Sequence, residues 1–394
     1  MNSGLSQGAE SNVTTRPARL YFIDWLRVMA LLSIFFYHNN KFFDVDSWHI
    51  DNAVTSLGST IFVRFCNLWM MPLFFILAGA SAYYALSFRS AGGFIKERTL
   101  RILIPLIIVG WFIIAPPQVY LERLSHGEFS GNFFQFYYPH YFDGIYGLGG
   151  NFALVPMHLW FLWLLFIFTL ITLPLFLPSK GTGRSLASRL ATLFEKPWTF
   201  VVPVLLLAVF EVFIDLEEWG GGWNHVSYLL FFISGYIMFS NARIQENIKR
   251  YAVIALIAAL VLQAVHYMLQ FGIIKIDIPD NKAAYMGWWI FRTLRSWCFI
   301  MAILGLGSRY LNFSNRFLGY ANEAVLPFYI LHQTVIIIIG FFVVQWSMGI
   351  APKYFIISTT SFVAIMAIYE LLVRRINVVR FLFGMRLKKK PKVA

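Results

Sequence analysis

Residues 21–39 read YFIDWLRVMALLSIFFYHN, an apolar run long enough for a membrane helix but interrupted by Arg27 and His38. Eleven residues at about 100° each return to within roughly 20° of the start, so both side chains share one helix face, about 16 Å apart. An ionisable side chain in a membrane helix is costly and faces a protein interior, a partner or a water-filled cavity. The pair is therefore a candidate catalytic site. His38 is the candidate general base, because imidazole exchanges a proton near neutral pH.

A structural interpretation of the same pair stays open at this point. Asp24 precedes Arg27 by about one helical turn, which makes it a candidate ion-pair partner rather than a catalytic acid. In this interpretation His38 only ends the helix near the outer surface. Intramembrane ionisable groups are more often functional, which favours the catalytic interpretation.

The composition indicates a membrane protein. The chain has 394 residues, of which 59% are hydrophobic and 13% are charged, whereas soluble domains carry about 25% charged residues. Cys66 and Cys298 each lie in an apolar segment, so neither a disulfide nor a metal site is expected. The first fifteen residues are polar and lack the pattern of a cleavable signal peptide. We therefore expect the first helix to remain as an anchor.

Ten apolar stretches have roughly the length that a transmembrane helix needs, which predicts an all-α polytopic membrane protein of about ten helices. We divide the chain into a polar tail (1–20), a transmembrane domain (21–373) and a basic tail (374–394). The gap at 121–156 is rich in Tyr, Phe, Gly and His and is interpreted as an ordered loop. The predicted spans are 21–40, 61–85, 102–120, 157–178, 198–214, 225–240, 252–271, 288–307, 322–345 and 354–373.

The distribution of basic residues predicts that both termini are cytoplasmic. With that orientation 23 of the 32 Lys and Arg residues lie in cytoplasmic segments and five in external ones, as the positive-inside rule requires. The formal net charge of +13 then reports topology and contact with anionic lipid. Nucleic acid is not an expected partner, whereas the lipid bilayer is.

A second cluster lies at the predicted cytoplasmic start of the third span, where residues 94–105 read FIKERTLRILIP. Arg98 and Arg101 are three residues apart and so share one helix face at the membrane surface. Paired guanidinium groups bind phosphates well, but ordinary cytoplasmic positive charge explains the run equally well.

These features together resemble the integral-membrane acyltransferase 3 family. The likeness covers about residues 20–385, and within the family it is nearest the glucan succinyltransferase branch, the glucans biosynthesis protein C type. Its motifs are Arg27 with His38, the run Arg98 to Pro105, and further stretches whose order and spacing are specific together. These stretches are Ile23–Arg27, Ser47–His49, Phe74–Gly79, His158–Leu162, Tyr329–His332, Tyr369–Glu370 and Arg380–Phe383.

The resemblance implies an O-acyltransferase of the bacterial inner membrane. It would move an acetyl-class or succinyl-class group from cytoplasmic acyl-coenzyme A, as a donor substrate and not a bound cofactor, to a hydroxyl of an extracytoplasmic glycan. By this likeness His38 and Arg27 are the essential pair of the first helix, and Arg98 and Arg101 belong to the donor-binding motif.

Several other polar residues of the predicted spans have two open interpretations. His158, Trp160, His332 and Asp24 are candidates for an acyl or acceptor site, but either histidine can equally be an interhelical hydrogen-bonding group. For Arg292 and Arg295 we favour structural salt bridges, with Glu323 and Glu370 as candidate counter-ions.

The alternative function is a proton-coupled secondary transporter of a small anion or sugar, and a non-catalytic scaffold is a third interpretation. A transporter would be favoured by matched interrupted helices in two halves, which the sequence does not show.

Overall fold

The computed structural model describes residues 19–178, 185–214, 221–275 and 281–388. Within these ranges the chain is helical, and β pairing is limited to isolated bridges. This confirms the predicted all-α fold class. The helices are α1 (Tyr21–Lys41), α2 (Leu57–Leu86), α3 (Ala91–Ser125), α4 (Phe133–Tyr137), α5 (Met157–Phe176), α6 (Leu186–Phe194), α7 (Pro197–Phe213), α8 (His225–Ser240), α9 (Ala242–Gln270), α10 (Lys282–Tyr310), α11 (Arg316–Val343), α12 (Ile350–Val373) and α13 (Asn377–Leu382).

Seven of the described helices are long and apolar enough to cross a membrane, namely α2, α3, α5, α9, α10, α11 and α12. The number is eight if α6 and α7, which meet at 115°, form one bent span. Helix α8 has 16 residues and is shorter than a typical span. Helix α1 has 21 residues and is long enough, but its charged residues lower its mean hydropathy, and it is not among the seven. The chain is therefore a multi-pass membrane protein, while the count of ten remains a prediction.

Helix α3 differs from the prediction in length and in winding. It was expected at 102–120, but it begins at Ala91 and continues to Ser125. Two stretches of its middle, Thr99–Leu103 and Pro105–Ile114, are wound as π-helix. The apolar run identified the membrane-crossing part, whereas the polar ends of the helix carry no hydropathy signal.

Residues 126–156 form an ordered cap, as the sequence indicated. The cap has a small hydrophobic core of its own, in which Phe136, Tyr141 and Ala153 pack against Ala115 and Val119 of α3. Ordering a long connection costs conformational entropy, and the burial of these aromatic side chains offsets that cost. The predicted loop is thus a structured element resting on the end of α3.

The connecting segments gather at two ends of the helix bundle. We call them the basic end, which holds residues 87–90, 308–315 and 383–388, and the loop end, which holds residues 42–56 and 126–156. Both described chain ends, residues 19 and 388, lie at the basic end. Which end faces the cytoplasm remains a prediction. Hydrogen bonds join Tyr21 to Asn312 and Arg101 to Gly384 at the basic end, and Lys353 to Asn52 and Trp223 to Asn67 at the loop end.

Helices α2 and α8 pack closely through two glycines. A methyl group at Gly79 would overlap the carbonyl of Phe232, and one at Gly235 would overlap the carbonyl of Ile76. Small residues let membrane helices approach at backbone distance, where van der Waals contact is densest. This contact sets the position of α2, one of the helices that border the cavity described next.

Candidate active site

A cavity of about 710 Å³ lies at the loop end, between α1, α2, α5 and α11 and beneath the cap. It is large enough for a drug-sized ligand. Its lining divides into polar and apolar side chains. The polar group includes His38, Lys41, His49, Tyr146, His158 and Gln333, and the apolar group includes Ile34, Met70, Met71, Leu148 and Trp160.

His38 stands on the wall of this cavity near the end of α1. Its ring stacks on Trp48, with centroids 5.6 Å apart and planes inclined by 21°. The rings of His332 and His158 lie 5.1 and 6.4 Å from it. No described residue hydrogen-bonds to the buried Nδ1 of His38. An imidazole that lines a cavity is well placed to accept a substrate proton.

His158 has a different environment, although it lines the same cavity. Its Nε2 atom lies 3.1 Å from the carbonyl oxygen of Tyr329 and 3.2 Å from that of Ile330, so this nitrogen donates. Its Nδ1 atom accepts from Gln118 at 3.4 Å. Both nitrogens are engaged, and the geometry favours the structural interpretation for His158. Trp160 lines the cavity and packs against Tyr228, with ring centroids 5.2 Å apart.

A hydrogen-bonded contact that the sequence analysis did not identify joins the cap to the cavity wall. Nδ1 of His49 contacts the carboxylate of Glu122, which also accepts a hydrogen bond from the Tyr146 hydroxyl at 2.8 Å. Burial, together with the neighbouring Glu122, raises the pKa of Tyr146. Gln333 donates to Nε2 of His49 at 3.3 Å. The pair is 73 residues apart in sequence, and no spacing pattern could have predicted it.

Arg27 lies toward the basic end, and it does not line the cavity. Its guanidinium group donates to Asp24 at 2.9 Å and also to the hydroxyl of Ser81 on α2. Asp24 also pairs with Arg19 at 2.7 Å. The interpretation of Asp24 as the ion-pair partner of Arg27 therefore matches the structure. The structure does not bring Arg27 and His38 into one site, and the catalytic role of Arg27 remains a prediction.

Arg98 and Arg101 lie near Arg27, within electrostatic range of it. The guanidinium of Arg98 rests 5.0 Å above the Phe94 ring, and its buried Nε has no hydrogen-bond partner among the described residues. Arg101 is exposed, and its Nε donates to the carbonyl of Gly384 at 3.0 Å. Three guanidinium groups thus lie at the basic end, where the Glu97 carboxylate is 3.4 Å from Arg101. Guanidinium groups bind anions such as phosphate well.

The expected counter-ions of Arg292 and Arg295 were wrong. Glu323 accepts a hydrogen bond from Arg380 at 2.8 Å, and Glu370 accepts one from Arg374 at 3.0 Å. Both carboxylates therefore form ion pairs at the basic end. Arg292 instead lies between two indole rings, those of Trp223 and Trp289, each 4.6 Å from its guanidinium carbon. Arg295 rests 5.4 Å above the ring of Phe291. Both guanidinium groups thus make cation–π contacts with aromatic rings.

Comparison with known proteins identifies the family. Residues 20–370 match the family model of acyltransferase 3, described as an acyltransferase domain. Glucans biosynthesis protein C of Salmonella schwarzengrund, Salmonella heidelberg and Salmonella typhi are each 22% identical over 346 residues. In each case the likeness covers 82% of this chain and 84% of the relative. No solved structure matches. Because the family model covers nearly the whole chain, this protein belongs to the acyltransferase 3 family and is a membrane acyltransferase.

Proposed function

We propose that this acyltransferase moves an acetyl-class or succinyl-class group from cytoplasmic acyl-coenzyme A to a glycan hydroxyl outside the bacterial inner membrane. The observation that carries the proposal is the position of His38, an imidazole on the wall of a cavity at the loop end. The name of the Salmonella relatives mentions glucan biosynthesis, which supports a glucan as the acceptor. Family membership favours this proposal over the transporter interpretation.

The donor is proposed to bind at the basic end. Arg98 and Arg101, with Arg27 behind them, supply the positive charge that the phosphates of coenzyme A require. About 16 Å of α1 separates Arg27 from His38, so the thioester must reach toward the loop end while the phosphates stay at the arginines. A protein-lined route is needed because a charged donor crosses lipid at prohibitive cost.

The acyl transfer itself is assigned to His38. The acceptor hydroxyl attacks the thioester carbon while its proton moves to His38, and a tetrahedral intermediate forms. The carbon–sulfur bond then breaks, and the coenzyme A thiolate leaves and takes up the proton from His38. The products are an ester and free thiol, so no redox partner or bound cofactor is needed. We assign the acyl chain to the apolar side of the cavity and the sugar hydroxyls to the polar side, near His49 and Gln333.

The test is acyl transfer by purified protein in proteoliposomes, with labelled acetyl- or succinyl-coenzyme A on one side and a glucan on the other. We expect both His38→Ala and His38→Gln to lower the rate by about 10²-fold or more, the range for losing a general base. Glutamine keeps hydrogen bonding but cannot take the proton. Donor binding should stay near the wild-type value.

The matched control is His266→Gln, which changes a half-buried membrane histidine of α9 that does not line the cavity. It should transfer acyl groups at the wild-type rate. Normal transfer by either His38 variant would show that His38 is structural and that the proposed mechanism is wrong.

A further inference from the structure

His332 lies behind His38 and is fully buried in α11. Its Nδ1 atom is 2.6 Å from the carbonyl oxygen of Tyr329, so that nitrogen carries a proton and donates it. The neutral ring then has a lone pair on Nε2, the other nitrogen. That Nε2 atom is buried and has no hydrogen-bond partner among the described residues. The ring therefore presents an unused acceptor in an apolar interior.

His38 presents the complementary unused atom. Its Nδ1 is also buried without a partner in the described part of the chain, and the two ring centroids are 5.1 Å apart. The indole of Trp48, which also lines the cavity, stacks on the imidazole of His38. A buried polar atom without a hydrogen bond is unfavourable, and two such atoms on adjacent rings satisfy each other when one donates and the other accepts.

We infer that His332 is a positioning residue for His38: the two neighbouring rings, which are not hydrogen-bonded to each other in this structure, turn during the reaction so that Nδ1–H of His38 donates to Nε2 of His332. This inference rests on the proposed function, in which His38 is the general base. The bond holds the proton of neutral His38 on Nδ1 and leaves the lone pair on its Nε2, which is the atom that must receive the substrate proton. Carboxylates orient catalytic imidazoles in the same way, through the nitrogen that does not react.

A neutral acceptor suits this position better than a carboxylate. The rings around His332 are those of Phe328, Tyr329, His158 and His38, so an ion there would be poorly solvated. The hydrogen bond from Nδ1 of His332 to the Tyr329 carbonyl fixes which of its nitrogens accepts. His332 thereby selects the tautomer of His38 without itself contacting the substrate.

The experiment compares three replacements at residue 332 by steady-state kinetics and by thermal unfolding. His332→Leu fills the space but supplies no hydrogen-bond acceptor. His332→Gln supplies an amide oxygen on a side chain long enough to reach His38, and the side chain of His332→Asn is one methylene shorter. We expect His332→Leu to lower kcat by about 10- to 100-fold with the KM for acyl-coenzyme A unchanged, and His332→Gln to recover most of the loss. His332→Asn should recover less than His332→Gln at equal thermal stability.

A double variant separates this inference from the proposed function. The combination of His38→Ala with His332→Leu should be no slower than His38→Ala alone, because residues that act as a unit are not additive. A wild-type kcat for His332→Leu, equal activity of the Gln and Asn variants, or multiplicative losses in the double variant would overturn the inference. If His332→Leu does not fold, the comparison of Gln with Asn decides. Full activity of His38→Ala would instead refute the proposed mechanism.

Discussion

Replacement of Gly79 by alanine tests the close contact between α2 and α8. The new methyl carbon would overlap the Phe232 carbonyl and lie 2.8 Å from the backbone nitrogen of Tyr236. Overpacking typically costs about 1–3 kcal/mol. Backbone atoms of a packed helix cannot rotate away, so the upper half of that range applies. Alanine gains about 1 kcal/mol of helix propensity over glycine, which leaves a net loss of about 1–2 kcal/mol.

The control is Gly287→Ala in α10, where no described heavy atom outside the adjoining helix backbone lies within 4 Å of the new methyl. That variant should keep only the propensity gain and be as stable as the wild type or more so. Thermal unfolding in one detergent would compare the two, and Gly79→Ala should unfold at the lower temperature. Acyl transfer should fall as well, because Ser81, which holds Arg27, lies two residues beyond Gly79. A Gly79 variant as stable as the Gly287 variant would refute the described contact.

Two further predictions concern the donor site and the topology. Arg98→Ala and Arg101→Ala should each weaken acyl-coenzyme A binding by about tenfold or more, since charge-assisted hydrogen bonds contribute about 1.5–3 kcal/mol, and lysine should restore binding only in part. Arg309→Ala, at an exposed arginine of the same end, is the control in a direct binding assay, and unchanged affinity in the double Arg98/Arg101 variant would exclude the assignment. Reporter fusions near residues 185, 245 and 390 should report the cytoplasm and those near 50, 140 and 280 the outside, and an external signal at 390 would contradict the even helix count.

Much of the helical framework could be predicted from hydropathy alone. The predicted stretches at 225–240 and 157–178 correspond to α8 and α5 within two residues. Apolar length is decisive because every backbone polar group in the bilayer must be bonded within a helix. Hydropathy did not predict where helices continue into polar surroundings, as α3 does at both ends. Those ends are set by capping and packing, such as the Ser90 side chain that accepts from Gly93.

The polar contacts of the site were less accessible to sequence reasoning. His38 could be singled out because a histidine in an apolar run is conspicuous. The contact of His49 with Glu122 could not be predicted, because one residue lies in a loop and the other near the end of α3, where polar residues are ordinary. Glu323 and Glu370 were misassigned as counter-ions of Arg292 and Arg295, because they pair with Arg380 and Arg374 instead. Charge pairing between distant helices depends on which helix ends meet, and one-dimensional patterns do not contain that information.

The shared helix face of Arg27 and His38 suggested a single site, and the structure separates the two by their partners. Arg27 has Asp24 and Ser81, so its charge is balanced and its geometry fixed by the protein. His38 has aromatic neighbours and no hydrogen bond to its buried Nδ1 from the described residues. A paired charge holds a position, whereas an unpaired imidazole can change its protonation state during a reaction. Arg27 therefore suits donor binding at the basic end, and His38 suits proton transfer at the loop end. The spacing of eleven residues sets the distance between these two sites along the helix.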